Sequence, residues 1–482
     1  PYTSSPKSNK SLAPRLPLRG KMPAMLALVT SLALLQPVSV PAAPPAASSS
    51  TGTGTSRGRA GNCSNAALNQ ELNVLHWWTS AGERAAADHV AARMAEQGLR
   101  WIDGAVAGGG GGGAIKVLNE RTLRGQAPQV AQLNGQALRE WAELGLLLRL
   151  DGVAQRRDWR GTLFPQVMSQ LNVRDHVVAA PLGIHRINNL YLNLALFRQL
   201  KIEPPSDWAG VMRAASALRA AGITPVGFSD EPWQVATVFE AMLLGEAGPA
   251  LYQRMVVQRD LQAFDDPALE RSFKRLREWR NLAAPVNATG GSGSQPGNAN
   301  PGERRWTELV ADFAGGRTAM LISGDWVRGE LGALGQEGGR DFECKAVPGT
   351  AQAHLFSIDT LAMLAGDNAK QAAQERMAEL LGNATLQISY NRIKGSVPVR
   401  RDVPVDELDV CAQRSYRLFA NPGTPRVPSL VHRMAFDEVG KNAFIETVHR
   451  FALDPNQTPA AAQRRLQALL RALGPRPPKA LP

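Results

Sequence analysis

The sequence predicts an α/β fold, on three observations. Short apolar runs of strand type alternate with longer runs whose apolar residues recur every three to four positions, the strand–helix–strand order of a layered α/β protein. Hydrophobic residues make up 44% of the 482, enough to bury a core, and the length suits two or three ordinary domains. Aromatic and acidic residues gather where strands run out into loops, which is where open α/β sheets hold their ligands.

The first seventy residues stand apart from this pattern. Lys7, Lys10, Arg15, Arg19 and Lys21 precede "MPAMLALVTSLALLQPVSVPAA", Met22 to Ala43. A basic flank, a short apolar stretch and small residues after it predict a secretory signal peptide. The apolar part, Met25 to Leu35, falls short of the about 20 residues a membrane span needs. From Pro44 to Asn65 the chain is mostly Pro, Ala, Ser, Gly and Thr, which cannot offset the entropy of ordering and predicts a flexible tether. Signal peptide and tether together take residues 1–71. Cys63, in "RAGNC", lacks the apolar neighbour of a lipid-attachment site and is read as unmodified.

The elements then follow in order. "LNVLHWW" is a strand ending on Trp77 and Trp78, and the turn Thr79-Ser80-Ala81-Gly82 leads to Glu83. Glu83 to Gln97 has helical spacing and stops at Gly98; "LRWIDGAV" is the next strand. Six glycines, Gly108 to Gly113, open the helix "AIKVLNERTLRG". Such a loop resembles a phosphate cradle. No Gly-Lys-Ser/Thr ending and no G-x-G-x-x-G with a following acid accompany it, so a close approach to a ligand or to the other domain is the better reading. A short strand carries Gln132 and Asn134 into another helix. "HVVAAPLGIHRINNLYLNLALFRQL" is an apolar strand, broken at Pro181-Leu182-Gly183 and then resumed, and reads as a hinge crossing. Asp207 caps the next helix and Gly222 stops it ahead of a strand from Ile223 to Phe228. Trp233 starts a further helix, Ala288 to Gly302 is a flexible insertion, and "GRTAMLISGDW" is a strand with Asp325 at its carboxyl end.

The formal charge is +12, but the basic residues are scattered. There is no aromatic–basic interleaving of the kind that grips single-stranded nucleic acid, and no zinc spacing of Cys and His. No nucleic-acid partner, metal or organic cofactor is expected. Cys344 and Cys411 remain, and in an exported protein two such cysteines are more often bonded than free.

The pieces "HWWTSAGE", "AVAGGGG", "GIHRINN", "AAGITPVGFSDEPWQ", "LLGEAGPALY", "LISGDW", "ECKAVPGT" and "KGSVPVR", in this order, resemble the extracellular solute-binding proteins of sugar ABC importers. The likeness is closest to their glucose/mannose-binding branch and runs from about Leu72 to Leu473. It implies a two-lobed periplasmic binding protein-like α/β fold with three interlobe crossings, near Ala180–Asn188, Gly315–Ala319 and Ser357–Leu364. One lobe would take residues 72–184 and 316–357, the other 188–315 and 361–482. The branch has a cysteine pair matching Cys344 and Cys411, which supports a bridge between them. The function implied is capture of a monosaccharide such as glucose or mannose in a Gram-negative-type periplasm, by a monomer that delivers it to a membrane permease without catalysis. A glycoside hydrolase is the alternative. It needs two carboxylates about 5–10 Å apart across the sugar, and Asp325 and Glu83 could be cast so, though no motif fixes them. A sugar sensor presenting its ligand to a membrane receptor would share the same site.

A pyranose offers C–H faces to aromatic rings and a rim of hydroxyls to polar groups. The resemblance puts Trp77 and Trp78 where the family stacks its sugar, with Trp233 facing them from the other lobe. Asp325, Glu83, Gln132 and Asn134 suit hydroxyls as acceptors and donors, and a carboxylate bond is roughly twice as strong as a neutral one. His185 and Lys394 add donors from the hinge and the second lobe, and His354 is a further candidate, two residues after Gln352. Successive strand residues face opposite ways, so one of the adjacent tryptophans suffices; Trp78 is preferred, and Trp326 is read as packing. Asn189 stands where the branch has an aromatic, Tyr191 replaces another, and Gln352 replaces a lysine. These departures leave open a different monosaccharide or a small oligosaccharide.

Overall fold

A computed structural model describes residues 70–107, 112–284 and 305–474. The expected signal peptide, nearly all of the tether, Cys63, most of the six-glycine run and the Ala288–Gly302 insertion lie outside the described residues. Among the described residues the first strand is Gln70–His76, which starts two residues before the expected boundary.

Two sheets organise the chain. In the first, the order is Arg426–Pro428, His354–Met363, Val130–Gln132, Gln70–His76 and Leu99–Ala105, and Ala180–Arg186 also pairs with His354–Met363. Gln70–His76 runs parallel to both its neighbours, joined to Leu99–Ala105 through the helix Ala81–Ala95 in the usual strand–helix–strand crossover. In the second sheet the order is Phe342–Ala346, Asn189–Asn193, Thr318–Ser323 and Thr224–Val226. Each sheet has its own apolar core. Leu72, Val130, Leu361 and Tyr390 belong to one; Tyr191, Phe239, Met320 and Phe444 belong to the other. Among the described residues no helix is long and apolar enough to cross a membrane.

Local signals are realised as read. Asp207 caps the helix Trp208–Ala220 by accepting from Gly210 N, and Gly222 sits at φ 78° beyond its end. Trp233 is the second residue of the helix Pro232–Val256. Cys344, on the edge strand of the second sheet, is bonded to Cys411 at a Cα separation of 5.7 Å. Cys411 lies in the helix Val410–Ala420, whose Ala412, Tyr416 and Phe419 pack into the first core, so the disulfide ties the two sheets together.

The lobe boundaries differ from the expected ones. Residues 316–357 do not join 72–184: Thr318–Ser323 pairs with Asn189–Asn193 and with Thr224–Val226 in the second sheet. Residues 361–482 are split. Leu361, Met377 and Phe419 lie in the first core, whereas Phe444, Val448 and Leu466 lie in the second. The chain leaves the first sheet between Arg186 and Asn189 and returns between Ala346 and His354. The passages expected near Gly315–Ala319 and Ser357–Leu364 are instead the entry to a second-sheet strand and the body of a first-sheet strand. Pro181-Leu182-Gly183 does not end the strand but lies inside Ala180–Arg186, where the pairing with His354–Met363 shifts register at Leu182, and the turn comes at Ile187-Asn188. Asn188, fully buried, pins outgoing and returning passages together: Nδ2 donates to Thr350 Oγ1 (2.9 Å) and Ala353 O (3.1 Å), and Oδ1 accepts from Leu355 N (3.1 Å).

Candidate functional site

A cavity of about 350 Å³ opens where the two sheets' loops meet, at the lower end of the roughly 300–1,000 Å³ of small-molecule sites. Its first wall comes from strand ends of the first sheet. Beyond Gln70–His76, Trp77 faces the cavity while Trp78 is 0% exposed in the first core. This reverses the expected choice. His76 is itself buried, and Trp78, two residues on, falls on its side of the chain with ring centroids 5.1 Å apart; Trp77 falls on the other side. Gln132 does not line the cavity. Fully buried behind it, its Oε1 accepts from Trp77 N at 3.3 Å and so holds the ring's backbone.

The strand His354–Met363 shows the same alternation. Ser357 and Asp359 line the cavity, whereas Phe356 and Ile358 enter the first core. His354 falls on that far side, 0% exposed, with Nε2 3.1 Å from Ser415 Oγ and its ring against Phe419. It therefore does not line the cavity. Asn134, at the start of the helix Gly135–Glu143, does line the cavity; its Nδ2 donates to Asp359 Oδ1 at 2.8 Å and its Oδ1 accepts from Thr360 N at 3.0 Å.

Asp325 is displaced from its expected place by one layer. It does not reach the cavity wall: Oδ1 lies 2.5 Å from His185 Nδ1, and Oδ2 accepts from Arg186 N at 2.8 Å. His185 Nε2 lies 3.1 Å from Asp359 Oδ2. The imidazole is thus clamped between two carboxylates, and His185 and Asp359, not Asp325, present the network to the cavity. Burial opposes a charge on this ring, but Asp325 and then Asp359 outweigh it and raise its pKa to about 9. Burial likewise works against ionised Asp359, yet His185 above all holds its carboxyl well below the usual range. The site accordingly contains an imidazolium and a carboxylate at neutral pH. Lys394 Nζ sits 3.4 Å from Glu83 Oε1 and both line the cavity, Lys394 from the helix Ala384–Lys394, which packs into the first core.

The opposite wall is aromatic and stands mostly on helix starts. Trp233, Trp306 and Trp326 each lie at or next to the first residue of a helix. Trp233 is 6.1 Å from Trp306 and 5.9 Å from Trp326, centroid to centroid, and Trp326 is 5.0 Å from His432. Burial drives the His432 pKa down to about 3, so its ring is neutral. Arg433 completes the enclosure over Trp77 at 5.7 Å. Six expected residues therefore meet at the cavity (Trp77, Glu83, Asn134, His185, Trp233 and Lys394), and four do not (Trp78, Gln132, Asp325 and His354). Sequence reasoning missed Asp359, Trp306, His432 and Arg433 and read Trp326 as packing only. The one usable signal was Asp359, two residues from Ser357 on one strand face. Among the described residues no group of His, Cys, Asp and Glu is arranged to hold a metal ion.

Comparison with known proteins agrees with this architecture. A family model described as bacterial extracellular solute-binding protein matches residues 114–409. A "probable sugar-binding periplasmic protein" of Brucella melitensis biotype 1 is 32% identical over 388 residues, covering 80% of this chain and 89% of that protein. A protein of the same description from Rhizobium meliloti (strain 1021) is 32% identical over 384 residues, 79% of this chain and 89% of its own. Among solved structures, the bacterial solute receptor AcbH, described as having an exclusive preference for β-D-galactopyranose, superposes with a TM-score of 0.69 at 17% identity, over 84% of this chain and 99% of its own. A chitin oligosaccharide binding protein gives 0.68 at 18%, over 84% and 98%. These structures share the two-lobed α/β fold, and the family match extends over more than half of the sequence. The chain belongs to the bacterial extracellular solute-binding proteins.

Proposed function

We propose that this protein is the sugar-binding subunit of an ABC importer. It takes a monosaccharide such as glucose or mannose between its lobes in the periplasm and presents it to a membrane permease. The observation that supports this most is the pairing of Trp77 with the wall of Trp233, Trp306 and Trp326 across one cavity. Such walls match the C–H faces of a pyranose, while Asp359, Asn134, Glu83 and Lys394 form a polar rim for its hydroxyls. The names of the Brucella and Rhizobium relatives support a sugar as the solute.

Binding needs no chemistry from these groups. Asp359, ionised and already oriented by His185 and Asn134, accepts hydroxyl hydrogens as a carboxylate, the stronger kind of acceptor. A hydrolase built on Asp325 and Glu83 finds no support, because both oxygens of Asp325 are engaged behind His185. A sugar that touches both walls favours the closed arrangement, since only differential affinity for two states shifts their balance.

Calorimetric titration of the chain from Asn65 onward with D-glucose, D-mannose and D-galactose tests this reading. The expected result is saturable 1:1 heat with at least one hexose. Trp77→Ala is expected to weaken it by about 2 kcal/mol, roughly thirtyfold, the loss typical of a central aromatic contact. No heat with any hexose, or unchanged affinity in the variant, sinks it.

A further inference from the structure

Glu240 lies in the helix Pro232–Val256, 0% exposed within the second lobe. A lone carboxylate in such surroundings is costly unless hydrogen bonds saturate it. Glu240 is saturated. Its Oε1 accepts from Leu430 N at 2.5 Å, from Val431 N at 3.4 Å and from the Tyr252 hydroxyl at 2.6 Å; Oε2 accepts from the Ser429 hydroxyl at 2.6 Å. Ser429 Oγ in turn accepts from His432 N at 3.2 Å. One turn earlier on the same helix face, Thr237 Oγ1 meets His432 Nε2 at 3.1 Å.

The segment gripped in this way leads from the strand Arg426–Pro428 of the first sheet into the second core. The two residues that follow it, His432 and Arg433, are cavity-wall residues. Arg433 has φ 68°, a left-handed backbone that non-glycine residues hold only when their surroundings impose it. Its carbonyl is taken by Gln136 N at 2.9 Å. The grip on Ser429, Leu430 and Val431 fixes one end of this constrained stretch and Gln136 the other.

We infer that Glu240 is a positioning residue of the binding site: its ionised carboxylate sets the 429–433 passage so that His432 and Arg433 meet the ligand, and protonation of Glu240 weakens binding. The inference rests on reading the cavity as a sugar site. Burial is the largest influence on this carboxyl and pushes it up to about 6, against the pull of Ser429, Tyr252 and the two backbone N–H groups. A protonated Glu240 must place a hydrogen on one oxygen. On Oε2 that hydrogen would face Ser429 Oγ, reversing the hydroxyl that now orients His432 N.

Near the passage Glu140 is also raised, by burial first and then by Asp437 and Glu438, and it stays in place in Glu240→Gln, so the comparison of the two proteins separates it from Glu240. Burial pushes Tyr252, beyond the kink at Gly248 in the run Pro232–Val256, well above its ordinary value, and it stays neutral, as does His432. Arg433 and Lys441 are ion-paired with Glu438, whose carboxyl the two cations lower against the effect of burial. Arg259 is paired with Asp437, which is also lowered, burial opposing. His449, on the helix Glu438–Leu453, bonds Asp230 O at 2.8 Å.

D-glucose titrated into the full chain at pH 7 and pH 5, for wild type and Glu240→Gln, tests the pH dependence. With only the ionised form competent, wild-type affinity at pH 5 is about tenfold weaker than at pH 7; Glu240→Gln is weakened at pH 7 and shows no step between the two. A second readout needs no sugar: the His432 ring signal in nuclear magnetic resonance shifts with a midpoint near pH 6, and this step is absent in Glu240→Gln. A carboxylate that only stabilised the fold would leave the affinity equal at the two pH values. A tenfold loss that persists in Glu240→Gln, or a wild-type His432 signal flat through pH 6, overturns the inference. Absence of heat with D-glucose at pH 7 counts against the glucose reading alone, and the ring titration still decides the role of Glu240.

Discussion

Replacing His185 by glutamine removes the cation that separates two buried carboxylates. His185 lies 2.5 Å from Asp325 and 3.1 Å from Asp359, with all three side chains at most 8% exposed. Taking one partner from a buried ion network leaves uncompensated charge and costs about 3–5 kcal/mol. The pH dependence makes the test specific. The imidazole's pKa rises from 6.5 to about 9 on folding, so its stabilising contribution is fully present below 6.5 and is lost as pH rises through 9. At 1.36 kcal/mol per pH unit this contribution is about 3 kcal/mol. Urea unfolding of wild type and His185→Gln at pH 6 and pH 10 measures it. Lysine and tyrosine ionisation at pH 10 is common to both proteins and cancels in their difference. The variant is expected to be less stable by about 3–5 kcal/mol at pH 6, with the gap narrowing by about 3 kcal/mol at pH 10. A gap of equal size at both pH values would refute the charged state assigned to His185.

The disulfide and the helix contacts near the cavity give two further tests. Cys344 and Cys411 are 67 residues apart in sequence, so by the loop-entropy relation removing both with serine lowers stability by about 4 kcal/mol; a urea midpoint that barely moves would show that the bridge does not restrain the unfolded chain. A Cβ on Gly82 would lie 2.6 Å from the Gly329 carbonyl carbon, whereas one on Gly332 meets nothing within 4 Å. Gly82→Ala is therefore expected to cost about 1–3 kcal/mol by forcing two backbones apart, and Gly332→Ala to be neutral or stabilising. Equal melting temperatures for the two variants would contradict the close approach.

Much of the fold was legible because its signals are local. The cap at Asp207, the stop at Gly222 and the strand ending at the tryptophans each depend on a few neighbouring residues. Lobe membership does not. Every residue of Thr318–Ser323 is buried, and a strand covered on both faces carries no alternation to say which sheet receives it. The resemblance supplied an ordering of pieces, and the lobe division drawn from it gave this strand to the wrong sheet. The site failed at finer grain for a related reason. Alternation established that one of Trp77 and Trp78 suffices for the cavity, but the choice is fixed by His76, whose fully buried ring draws Trp78 to the core side. His354 entered the expected site through the resemblance, two residues after Gln352 where the branch has a lysine. On the strand His354–Met363, however, alternation turns it to the core while the cavity receives Ser357 and Asp359. His432 had no local signal: its partners Thr237 and Trp326 lie more than a hundred residues away in the chain.

The placement of the ion network bears on how occupancy would be coupled to closure. Ser357 pairs with His185 and Asp359 with Gly183 across adjacent antiparallel strands, so the carboxylate and the imidazolium belong to one rigid layer of the first sheet. Asp325 follows the second-sheet strand Thr318–Ser323, yet it is bonded to His185 and to Arg186 N at the point where the chain leaves the first sheet. A contact beside the pivot moves little when lobes rotate. The network therefore serves to hold Asp359 ionised and aimed at the cavity, and it contributes little to the difference between open and closed states. Trp326, next in sequence to Asp325, has its ring 5.7 Å from His185 and belongs with this network. On the proposed reading the difference therefore comes from Trp233 and Trp306, set beyond it, together with Trp77 across the cavity. Moving a two-state balance from 1:99 to 99:1 takes about 5.5 kcal/mol of differential affinity, and aromatic contacts of about 2 kcal/mol or more each are of that order. In the proposed importer, the polar groups beside the crossing would meet the sugar's hydroxyls, and stacking on the tryptophans would favour the closed arrangement.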